Sequence, residues 1–244
     1  MFASRDGCSG AAGDVAVAFT DRYGGVSAPP YHTLDLSSRP ARRHEVSQNF
    51  ALLAKEFDVS GFACMKQSHG AAVSVVDRLP QTPPSCDGLV TTRHDLALCV
   101  RVADCVPVLL ADPDAGVIGV AHAGRVGVAA GIVSATVDAL RGAGAQHIIG
   151  WVGPHVCGSC YEVPVGLRRE VSAVVPAAFS CTTWGTAALD LGAAVVAQLV
   201  AAGCAVRDLS RCTRESPDLY SYRRDGADSG RLAGVVVLRR SVGA

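Results

Sequence analysis

The feature that most constrains the fold is a succession of short β-rich runs in the first half of the chain, each bounded by turn residues. Five such runs span residues 62–65, 72–76, 96–102, 106–110 and 117–121. An alanine-rich segment over 127–141 follows the last run and ends at a glycine, which is typical of a helix. This order of strand, loop and helix predicts an α/β fold.

The remaining elements continue the alternation of strands and helices. Apolar residues recur at helical spacing between 45 and 57, so this stretch predicts an amphipathic helix that covers a sheet. Further strands are predicted at 15–20, 148–152, 204–209 and 233–238, and further helices at 165–175 and 189–202. The segment 21–30 is rich in glycine and proline and predicts a loop that forms one wall of a site.

Nothing in the composition divides the chain into parts. With 244 residues, a mass of 25.1 kDa and 49% hydrophobic residues, the chain can bury one substantial core or two small ones. No linker, low-complexity tract or convincing repeat interrupts it. We therefore expect a single domain over residues 1–244, with residues 1–14 as a candidate for disorder.

Charge and hydropathy argue against several classes of partner. Twenty-two basic residues balance twenty-two acidic ones, which removes the electrostatic footprint expected of a nucleic-acid or membrane-surface binder. The most hydrophobic stretch, 96–110, is interrupted by Arg101 and Asp104, and no apolar run reaches the roughly 18 residues that span a bilayer. The N-terminus lacks the continuous apolar segment of a secretory signal, so we predict a cytoplasmic protein.

Three short motifs each place a metal-binding side chain at the end of a predicted strand: KQSHG with His69, ADC with Cys105 and AHAG with His122. Two imidazoles and one thiolate suit Zn²⁺ or Cu²⁺, and three protein ligands leave one position open for water or substrate. Gly70 and Gly124 beside the histidines permit a close approach of the backbone. From spacing alone, ordinary loop histidines and a buried thiol explain these residues equally well.

A metal-free site would use the same atoms. Cys105 then acts as a nucleophile, His122 or His69 as its base, and Asp104 or backbone amides support the reaction. A four-copper blue oxidase does not fit, because the chain has seven histidines and no HxH pair to bridge a multinuclear copper cluster. The phosphate-binding P-loop and a strand-borne GxGxxG are also absent from the sequence.

The cysteines and a late arginine-rich segment supply two weaker signals. Ten cysteines are about 4% of the chain, below the density of disulfide scaffolds, so most of them are expected to be buried thiols. Cys157 and Cys160 form a CxxC pair, which predicts a redox pair or half of a zinc site, although a structural role is favoured. Arg223, Arg224 and Arg231 suit bidentate binding of phosphate or carboxylate, whereas surface pairing with nearby aspartates is the simpler explanation.

These motifs together resemble the laccase-domain family, also described as polyphenol oxidases or as purine nucleoside phosphorylases of the laccase-domain type. The resemblance covers nearly the whole chain, from TDRYGGVSAPPY at 20–31 through KQSHG, CDGLVT, ADCVPVLLADP, AHAGRVGVAAGI and GPHVCGSCYEVP to YSYRRDGADSGR at 220–231. It implies a single domain of two mixed β-sheets packed between helix layers, an α/β/β/α sandwich. It also implies that His69, Cys105 and His122 hold one Zn²⁺ or Cu²⁺ ion per chain.

The resemblance also implies a function. The family is associated with phosphorolysis of purine nucleosides and of methylthioadenosine, with deamination of adenosine, and with older assignments as polyphenol oxidases or editors of peptidoglycan precursors. We therefore expect a metal-dependent enzyme that binds small molecules, a purine nucleoside and phosphate, as a monomer or homodimer without nucleic-acid or membrane partners. The alternatives are a metal-free Cys-His hydrolase, a peptidoglycan-precursor editing factor, a polyphenol oxidase and a degenerate, non-catalytic member.

Four more residues receive roles under this expectation. Asp104 completes the predicted catalytic set with the three ligands, as the donor of a proton to departing ammonia, although capping a turn explains it equally well. Arg22 or Arg223 is expected to position phosphate, and Gln67 to orient a base edge or a ligand histidine.

Two motifs depart from the family pattern. AHAGRVG places Arg125 and Val126 where the family has tryptophan and arginine, and Phe50 follows Asn49 where an arginine is expected. If the missing arginine contacts phosphate or substrate, these changes bear on substrate choice or catalytic competence. Arg125 is then a candidate to compensate from the neighbouring loop.

Overall fold

The protein is described over residues 1–240 by a computed structural model, which contains thirteen strands and six α-helices. The strands are β1 (Phe2–Gly10), β2 (Gly13–Thr20), β3 (Phe62–Ala63), β4 (Val73–Val75), β5 (Gly88–Thr91), β6 (Ala97–Val102), β7 (Val106–Asp112), β8 (Val117–Ala123), β9 (Ile149–Val152), β10 (Phe179–Cys181), β11 (Ala187–Leu189), β12 (Ala205–Asp208) and β13 (Leu232–Arg239). The helices are α1 (Arg43–Glu56), α2 (Arg125–Ala129), α3 (Ile132–Gly142), α4 (Val165–Val174), α5 (Leu191–Ala201) and α6 (Tyr222–Asp225).

The described strands build two large sheets and one small hairpin. The first sheet has five strands in the order β1-β2-β13-β6-β3, and the second has six in the order β12-β9-β7-β8-β5-β4. Both sheets are mixed, because β3 runs parallel to β6 and β12 parallel to β9, whereas β7 and β8 are antiparallel. The expectation of two mixed sheets is confirmed.

The two sheets pack face to face between layers of helix. Phe19 of β2 and Leu109 of β7 belong to one buried cluster, which therefore fills the space between the sheets. Leu110, next along β7, points the other way into a cluster with residues of α3, α4 and α5. A third cluster lies between the first sheet and α1. All residues of β7 and β8 are buried because both faces of their sheet are covered, and the fold is the expected α/β/β/α sandwich.

Most of the N-terminal segment forms a strand, β1, where the sequence made residues 1–14 a candidate for disorder. β1 pairs antiparallel with β2 along its length and forms the edge of the first sheet. The ring of Phe2 packs edge-on against Phe57 at 5.8 Å. Asp6 accepts hydrogen bonds from Trp151 (2.7 Å) and Arg207 (2.8 Å) of the second sheet. This segment, with its charged and glycine residues, therefore pairs as an edge strand with β2 and is anchored to the second sheet through Asp6.

The helix predicted over 127–141 is in fact two helices. α2 and α3 are separated by Gly131, whose φ of 83° belongs to the left-handed region that favours glycine. The sequence reading also omits β5, because four buried residues between turns carry too little pattern to identify a strand. None of the helices in residues 1–240 has the length and apolar character needed to cross a membrane.

The carboxylate of Asp112 fastens two turns at one end of the second sheet. Its Oδ1 accepts hydrogen bonds from the backbone of Asp114 and Ala115 (both 3.1 Å), and its Oδ2 from the backbone of Gln146 (2.6 Å) and His147 (2.7 Å). Burial opposes ionisation of this carboxyl group, but the four backbone N–H groups outweigh burial and lower the pKa of Asp112.

Replacing Asp112 by asparagine is expected to lower the free energy of unfolding by about 2–3 kcal/mol, because an amide N–H₂ would face backbone donors. Since the folded-state pKa is depressed, the carboxylate stabilises the fold above its unfolded pKa near 3.9, and this contribution is lost as the pH falls through the folded pKa. Urea unfolding from pH 7 to about pH 2 should show the stabilities of the unaltered protein and the Asp112→Asn variant converging below about pH 4. Asp138→Asn, on the exposed side of α3, is the control and should change stability little at either pH.

Candidate metal centre and its cavity

Three residues that are distant in sequence meet at one end of the second sheet. Cys105 immediately precedes β7 and His122 lies in β8, and the antiparallel register of these strands pairs Val106 with Ala123. His69 comes from the loop ahead of β4. The candidate ligand atoms of His69, Cys105 and His122 all lie within 4.8 Å of one another. The sheet register supplies the proximity that sequence spacing could not show.

The loop that carries His69 is held by the buried carboxylate of Asp87. The backbone N–H groups of Ser68, His69 and Gly70 donate to Asp87 at 3.0, 3.0 and 2.8 Å, and the Ser68 hydroxyl donates at 2.7 Å. These bonds support a φ of 63° at His69, a conformation that non-glycine residues seldom adopt. The turn therefore presents the imidazole of His69 to the other two candidate ligands.

Asp87 also orients the second histidine. Nδ1 of His122 donates to Oδ1 of Asp87 at 2.8 Å, because a carboxylate that already accepts several N–H groups is ionised and can only accept. The Nε2 atom of His122 is then the one that remains for a metal, the arrangement by which carboxylates usually support ligating histidines. Burial opposes ionisation of Asp87, but the bonds from His122 and Ser68 outweigh burial and hold its pKa far below the usual range.

Asp87 is the main supporting residue that sequence reasoning missed. It lies in the motif CDGLVT, which contributed to the family resemblance without receiving a role. The available signal was an acidic residue directly ahead of a short buried strand, but only the fold shows that this strand, β5, pairs with the strand of His122.

The three candidate ligands fit a thiophilic divalent ion. Burial raises the pKa of Cys105, but the imidazoles of His122 and His69 outweigh it and lower the pKa to about 6. Burial lowers the pKa of His122, but Asp87 and Cys105 outweigh it and raise the pKa to about 9, so a bound metal ion would displace the proton on Nε2. A thiolate and two imidazoles are the donors that Zn²⁺ and Cu²⁺ favour. A Cβ built on Gly124 would come within 2.9 Å of the His69 ring and 3.2 Å of the Cys105 sulfur, so the backbone closes the site tightly from one side.

The other side of the centre opens into a cleft. A cavity of about 650 Å³ adjoins a second of about 420 Å³, and His69, Gln67, Arg101 and Arg231 line both. The larger cavity has a volume typical of small-molecule sites, which span about 300–1,000 Å³. Its remaining walls are formed by Val102, Ala103, Asp104, Cys105, His122, Tyr161, Tyr222 and Arg223. Arg101, Tyr161 and Tyr222 are lining residues that sequence reasoning did not identify.

Asp104 and Arg223 lie together in the wall of the larger cavity. The Asp104 carboxylate accepts a hydrogen bond from the hydroxyl of Thr213 (2.6 Å) and another from the backbone N–H of Arg223 (2.6 Å). Asp104 is thus placed as an acceptor that holds the segment of Arg223. The guanidinium of Arg223 lies over the ring of Tyr161 at 4.7 Å and faces the cavity.

Gln67 lines the cavity with its polar atoms already engaged. Its Nε2 donates to the carbonyl of Arg101 (2.8 Å), and its Oε1 accepts from the N–H of the same residue (3.1 Å). This pair fixes the backbone of Arg101, whose guanidinium donates to the carbonyl of Met65 at 3.0 Å. Gln67 therefore positions a cavity arginine in this structure, whereas its predicted contact was with a base edge or a ligand histidine.

The structure does not bring Arg22 to the cavity. Its guanidinium donates to the carbonyls of His32 (2.9 Å), Pro30 (3.2 Å) and Pro217 (3.4 Å), and it lies over the ring of Tyr220 at 4.9 Å. These partners take up the guanidinium in tying the 21–33 loop to the C-terminal half. Arg22 is not among the residues that line the two cavities, so its position gives the predicted role with phosphate no support.

The residues that depart from the family pattern lie outside the two cavities. Arg125 begins α2, one residue after Gly124, and Val126 keeps 47% of its surface exposed. The ring of Phe50 packs against Phe62 at 5.9 Å and lines a groove that reaches Arg101. Neither Arg125 nor Phe50 lines the two cavities next to the candidate ligands.

Comparisons with known proteins agree with the fold and show the family of the chain. A family model described as multi-copper polyphenol oxidoreductase laccase matches residues 16–239. A purine nucleoside phosphorylase of Streptomyces coelicolor is 49% identical over 98% of this chain and 100% of that protein, and one of Corynebacterium glutamicum is 42% identical over 90% and 93%. The solved structure of YlmD from Geobacillus stearothermophilus has a TM-score of 0.82 and 28% identity, covering 93% of this chain and 92% of that one.

Replacing Gly124 by alanine is expected to reduce metal binding, because the added methyl group meets the His69 ring and the Cys105 sulfur. Zinc content after dialysis against excess metal, measured by mass spectrometry, should fall well below that of the unaltered protein while the circular dichroism spectrum is retained. Gly142→Ala is the control, since a Cβ there meets nothing within 4 Å. Equal zinc content in the two variants would contradict the geometry described for the centre.

Replacing Asp87 by asparagine is expected to weaken metal affinity by about 10–100-fold, the usual effect of removing a carboxylate that supports a ligating histidine. Competition with a chromophoric chelator measures the affinity. Asp95→Asn, which removes an exposed carboxylate paired only with Arg93, is the matched control and should leave the affinity unchanged.

Proposed function

Since this chain belongs to the multi-copper polyphenol oxidoreductase laccase family, the laccase-domain family of its motifs, we propose that it is a metal-dependent purine nucleoside phosphorylase. The observation that carries the proposal is the convergence of His69, Cys105 and His122 on the floor of a cleft whose walls carry arginines. Relatives named purine nucleoside phosphorylases that align along nearly their whole length support it. His69, Cys105 and His122 would hold the metal ion, which would supply a Lewis acid to the reaction.

Phosphorolysis requires phosphate and nucleoside to be held side by side. A phosphate oxygen forms a bond to C1′ of the ribose, the bond from C1′ to the purine nitrogen breaks, and the purine leaves with the electron pair and is protonated. The catalytic gain available to this chain is the fixed orientation of the two reactants and the stabilisation of charge.

Arg223, Arg231 and Arg101 are the groups we assign to the phosphate. All three line the larger cavity, and guanidinium groups bind phosphate oxygens in pairs. Burial, together with the nearby charge of Arg39, lowers the pKa of Arg231, so a bound anion would stabilise its charged form. Arg223 thus keeps its predicted role, and Arg101 and Arg231 replace Arg22.

Tyr161 and Tyr222 are assigned to the nucleoside. Both line the cavity that contains the three ligands, and aromatic rings bind a purine by stacking on its face. Asp104 acts as a positioning residue, because its carboxylate holds the backbone of Arg223 and the hydroxyl of Thr213. This role differs from the predicted one, in which Asp104 donates a proton. It predicts that loss of Asp104 weakens the binding of phosphate more than the binding of nucleoside.

Phosphorolysis of methylthioadenosine and deamination of adenosine belong to the same proposal. The first breaks the same bond of a nucleoside with a changed 5′ group. The second adds water at the purine carbon that carries the amino group and releases ammonia. Both use substrates that the proposed purine site would hold, so assays with adenosine, inosine and methylthioadenosine distinguish the three activities.

A metal-free Cys-His hydrolase is the second candidate, and the pKa values favour it specifically. With the pKa of Cys105 lowered to about 6 and that of His122 raised to about 9, the two groups form a thiolate and an imidazolium near neutral pH, as in an activated cysteine nucleophile. Chelation separates the candidates: phosphorolysis should disappear on complete metal removal and return with Zn²⁺. Phosphorolysis that persists in the metal-free protein would overturn metal dependence, whereas hydrolysis of an amide or precursor peptide by the metal-free protein would support the second candidate.

Oxidation of polyphenols by a multinuclear copper cluster has little support in this chain. Within residues 1–240, groups of three or more candidate ligands occur at two places only, and the other one contains no histidine. This agrees with the absence of an HxH pair from the sequence. A peptidoglycan-editing factor and a non-catalytic member remain alternatives that the activity assays test.

Replacing His69 by alanine is expected to lower the rate of phosphorolysis by at least about 100-fold, because it removes one of three ligands at the reacting centre. Ribose 1-phosphate and hypoxanthine, formed from inosine and phosphate, measure the reaction. His44→Ala, an exposed histidine of α1, is the control and should keep full activity. If no ribose 1-phosphate is formed by the unaltered, zinc-loaded protein, the proposal is wrong.

Replacing Arg223 by methionine is expected to reduce kcat/KM for phosphate by about 10–100-fold, the effect of losing one or two charge-assisted hydrogen bonds. KM for inosine should change much less, because the side chain is assigned to phosphate. Arg78→Met, an exposed arginine outside the cleft, should change neither constant. An equal effect on both substrates would contradict the assignment.

A further inference from the structure

A second group of metal-binding side chains lies outside the candidate centre. Cys157, Cys160, Cys212 and Glu215, called here the three-cysteine cluster, present ligand atoms that all lie within 4.8 Å of one another. Cys160 is buried, Cys157 and Cys212 are half-buried, and Glu215 is exposed. The phosphorylase site uses none of these four residues.

The first two cysteines are brought together by a tight turn. The N–H groups of Cys160 and Tyr161 both donate to the carbonyl of Cys157 at 3.0 Å. This turn folds the CxxC pair back on itself, so both sulfur atoms face the same side. The sequence contains only this one CxxC, and the partners that a metal site needs come from a distant segment.

That distant segment is paired to the turn by backbone hydrogen bonds. The N–H of His155 donates to the carbonyl of Arg211 (3.1 Å), and the N–H of Thr213 donates to the carbonyl of His155 (2.9 Å). These bonds pair Cys212 with His155 in a short parallel bridge, and His155 lies two residues before Cys157. Cys212 is thereby held close to Cys157. A further turn, closed by Ser216 N–H to Cys212 O at 3.0 Å, carries Glu215 toward the cluster.

The fourth group completes the set. Oε1 of Glu215 lies 3.4 Å from the sulfur of Cys160. Arg224 is not a member of the cluster, and its guanidinium donates to the carbonyls of Thr213 (3.0 Å) and Ser216 (2.9 Å) on either side of Glu215. The loop conformation therefore does not depend on a contact between Glu215 and Cys160.

We propose that the three-cysteine cluster binds one structural Zn²⁺ ion, separate from the candidate catalytic centre. Three thiolates and one carboxylate form a closed set of four ligands, the number that structural zinc sites use. In a tetrahedron with Zn–S bonds of about 2.3 Å the sulfur atoms stand about 3.8 Å apart, which small side-chain rotations reach from the observed separations. Each thiol loses its proton when the ion binds.

The position of the cluster gives the ion a role in the architecture of the cleft. Tyr161 follows Cys160 directly and lines the cavity, and Thr213 follows Cys212 and donates to Asp104. The segments between β9 and α4 and between β12 and α6 have little regular structure of their own, so a side-chain cross-link stabilises them where strand pairing does not. The ion would hold one wall of the cleft in place.

Cobalt binding to the Cys105→Ser variant tests the proposal. The substitution removes the thiolate of the candidate catalytic centre, so the three-cysteine cluster is the site expected to supply thiolate ligands. The protein is prepared without an affinity tag, reduced and freed of metal, and then titrated with Co²⁺. We expect one Co²⁺ per chain with sulfur-to-cobalt charge-transfer absorption of a tetrahedral, multi-thiolate site, displaced by Zn²⁺. Absence of such absorption overturns the proposal, and no cluster variant has to fold for this result.

Variants of the cluster provide the second arm. Cys157→Ser/Cys160→Ser in the Cys105→Ser background should lose the charge-transfer absorption, whereas Cys181→Ser, which removes an exposed cysteine outside the cluster, should keep it. Zinc should slow hydrogen exchange in residues 153–164 and 210–219 of the Cys105→Ser protein, and exchange that is unchanged by zinc would contradict the role in the cleft wall.

A disulfide between two of the three cysteines is the contrary outcome. It would make the unreduced protein lighter by two hydrogen atoms and resistant to metal until reduced, and finding it as the resting state of the protein would overturn the zinc site. The proposal does not rest on the phosphorylase activity. A zinc-loaded cluster in a protein that makes no ribose 1-phosphate would leave it intact.

Discussion

The buried carboxylate of Asp87 joins the two halves of the candidate centre. Through its hydrogen bonds to the turn of His69 and to Nδ1 of His122, one side chain sets the backbone of one ligand and the ring orientation of another. Asp87 itself immediately precedes β5, which pairs with the strand of His122, so the sheet fixes the distance that these bonds span. A buried carboxylate with this many donors stays ionised, and the centre keeps its geometry for that reason.

The sandwich provides the rigid support of the candidate centre and the end of the sheet at which the cleft lies. β7 and β8 are covered on both faces, which makes them a rigid support for Cys105 and His122, while the irregular segments at the same end of the sheet form the cleft. The arginines and tyrosines of the walls come from segments that are far apart in the chain. Short polar contacts, such as Asp104 with the Arg223 backbone, hold these walls where regular pairing is absent. The three-cysteine cluster lies behind the same wall.

Several elements could be predicted from the chain because their signals are local. The strand over 15–20, the helix over 45–57 and the strand over 233–238 agree with β2, α1 and β13 to within two residues at each end. The break between α2 and α3 was missed, because Gly131 in an alanine-rich run looks like a tolerated helix residue until its φ is known. Residues 1–14 looked disordered because the partners of Asp6, Trp151 and Arg207, are far away in sequence.

By itself, the sequence determined many of the strands and helices, the absence of a long apolar span, and the identity of His69, Cys105 and His122 as chemically suitable ligands. The tertiary structure alone decided that these three meet, that Asp87 supports them, that Arg22 is committed elsewhere, and that Cys212 joins the CxxC pair. The physical reason is the distance along the chain over which each kind of signal acts. Periodicity and turn chemistry act over a few neighbouring residues, whereas a ligand set, a buried hydrogen bond or a cavity wall depends on strand register and packing between segments that the chain separates.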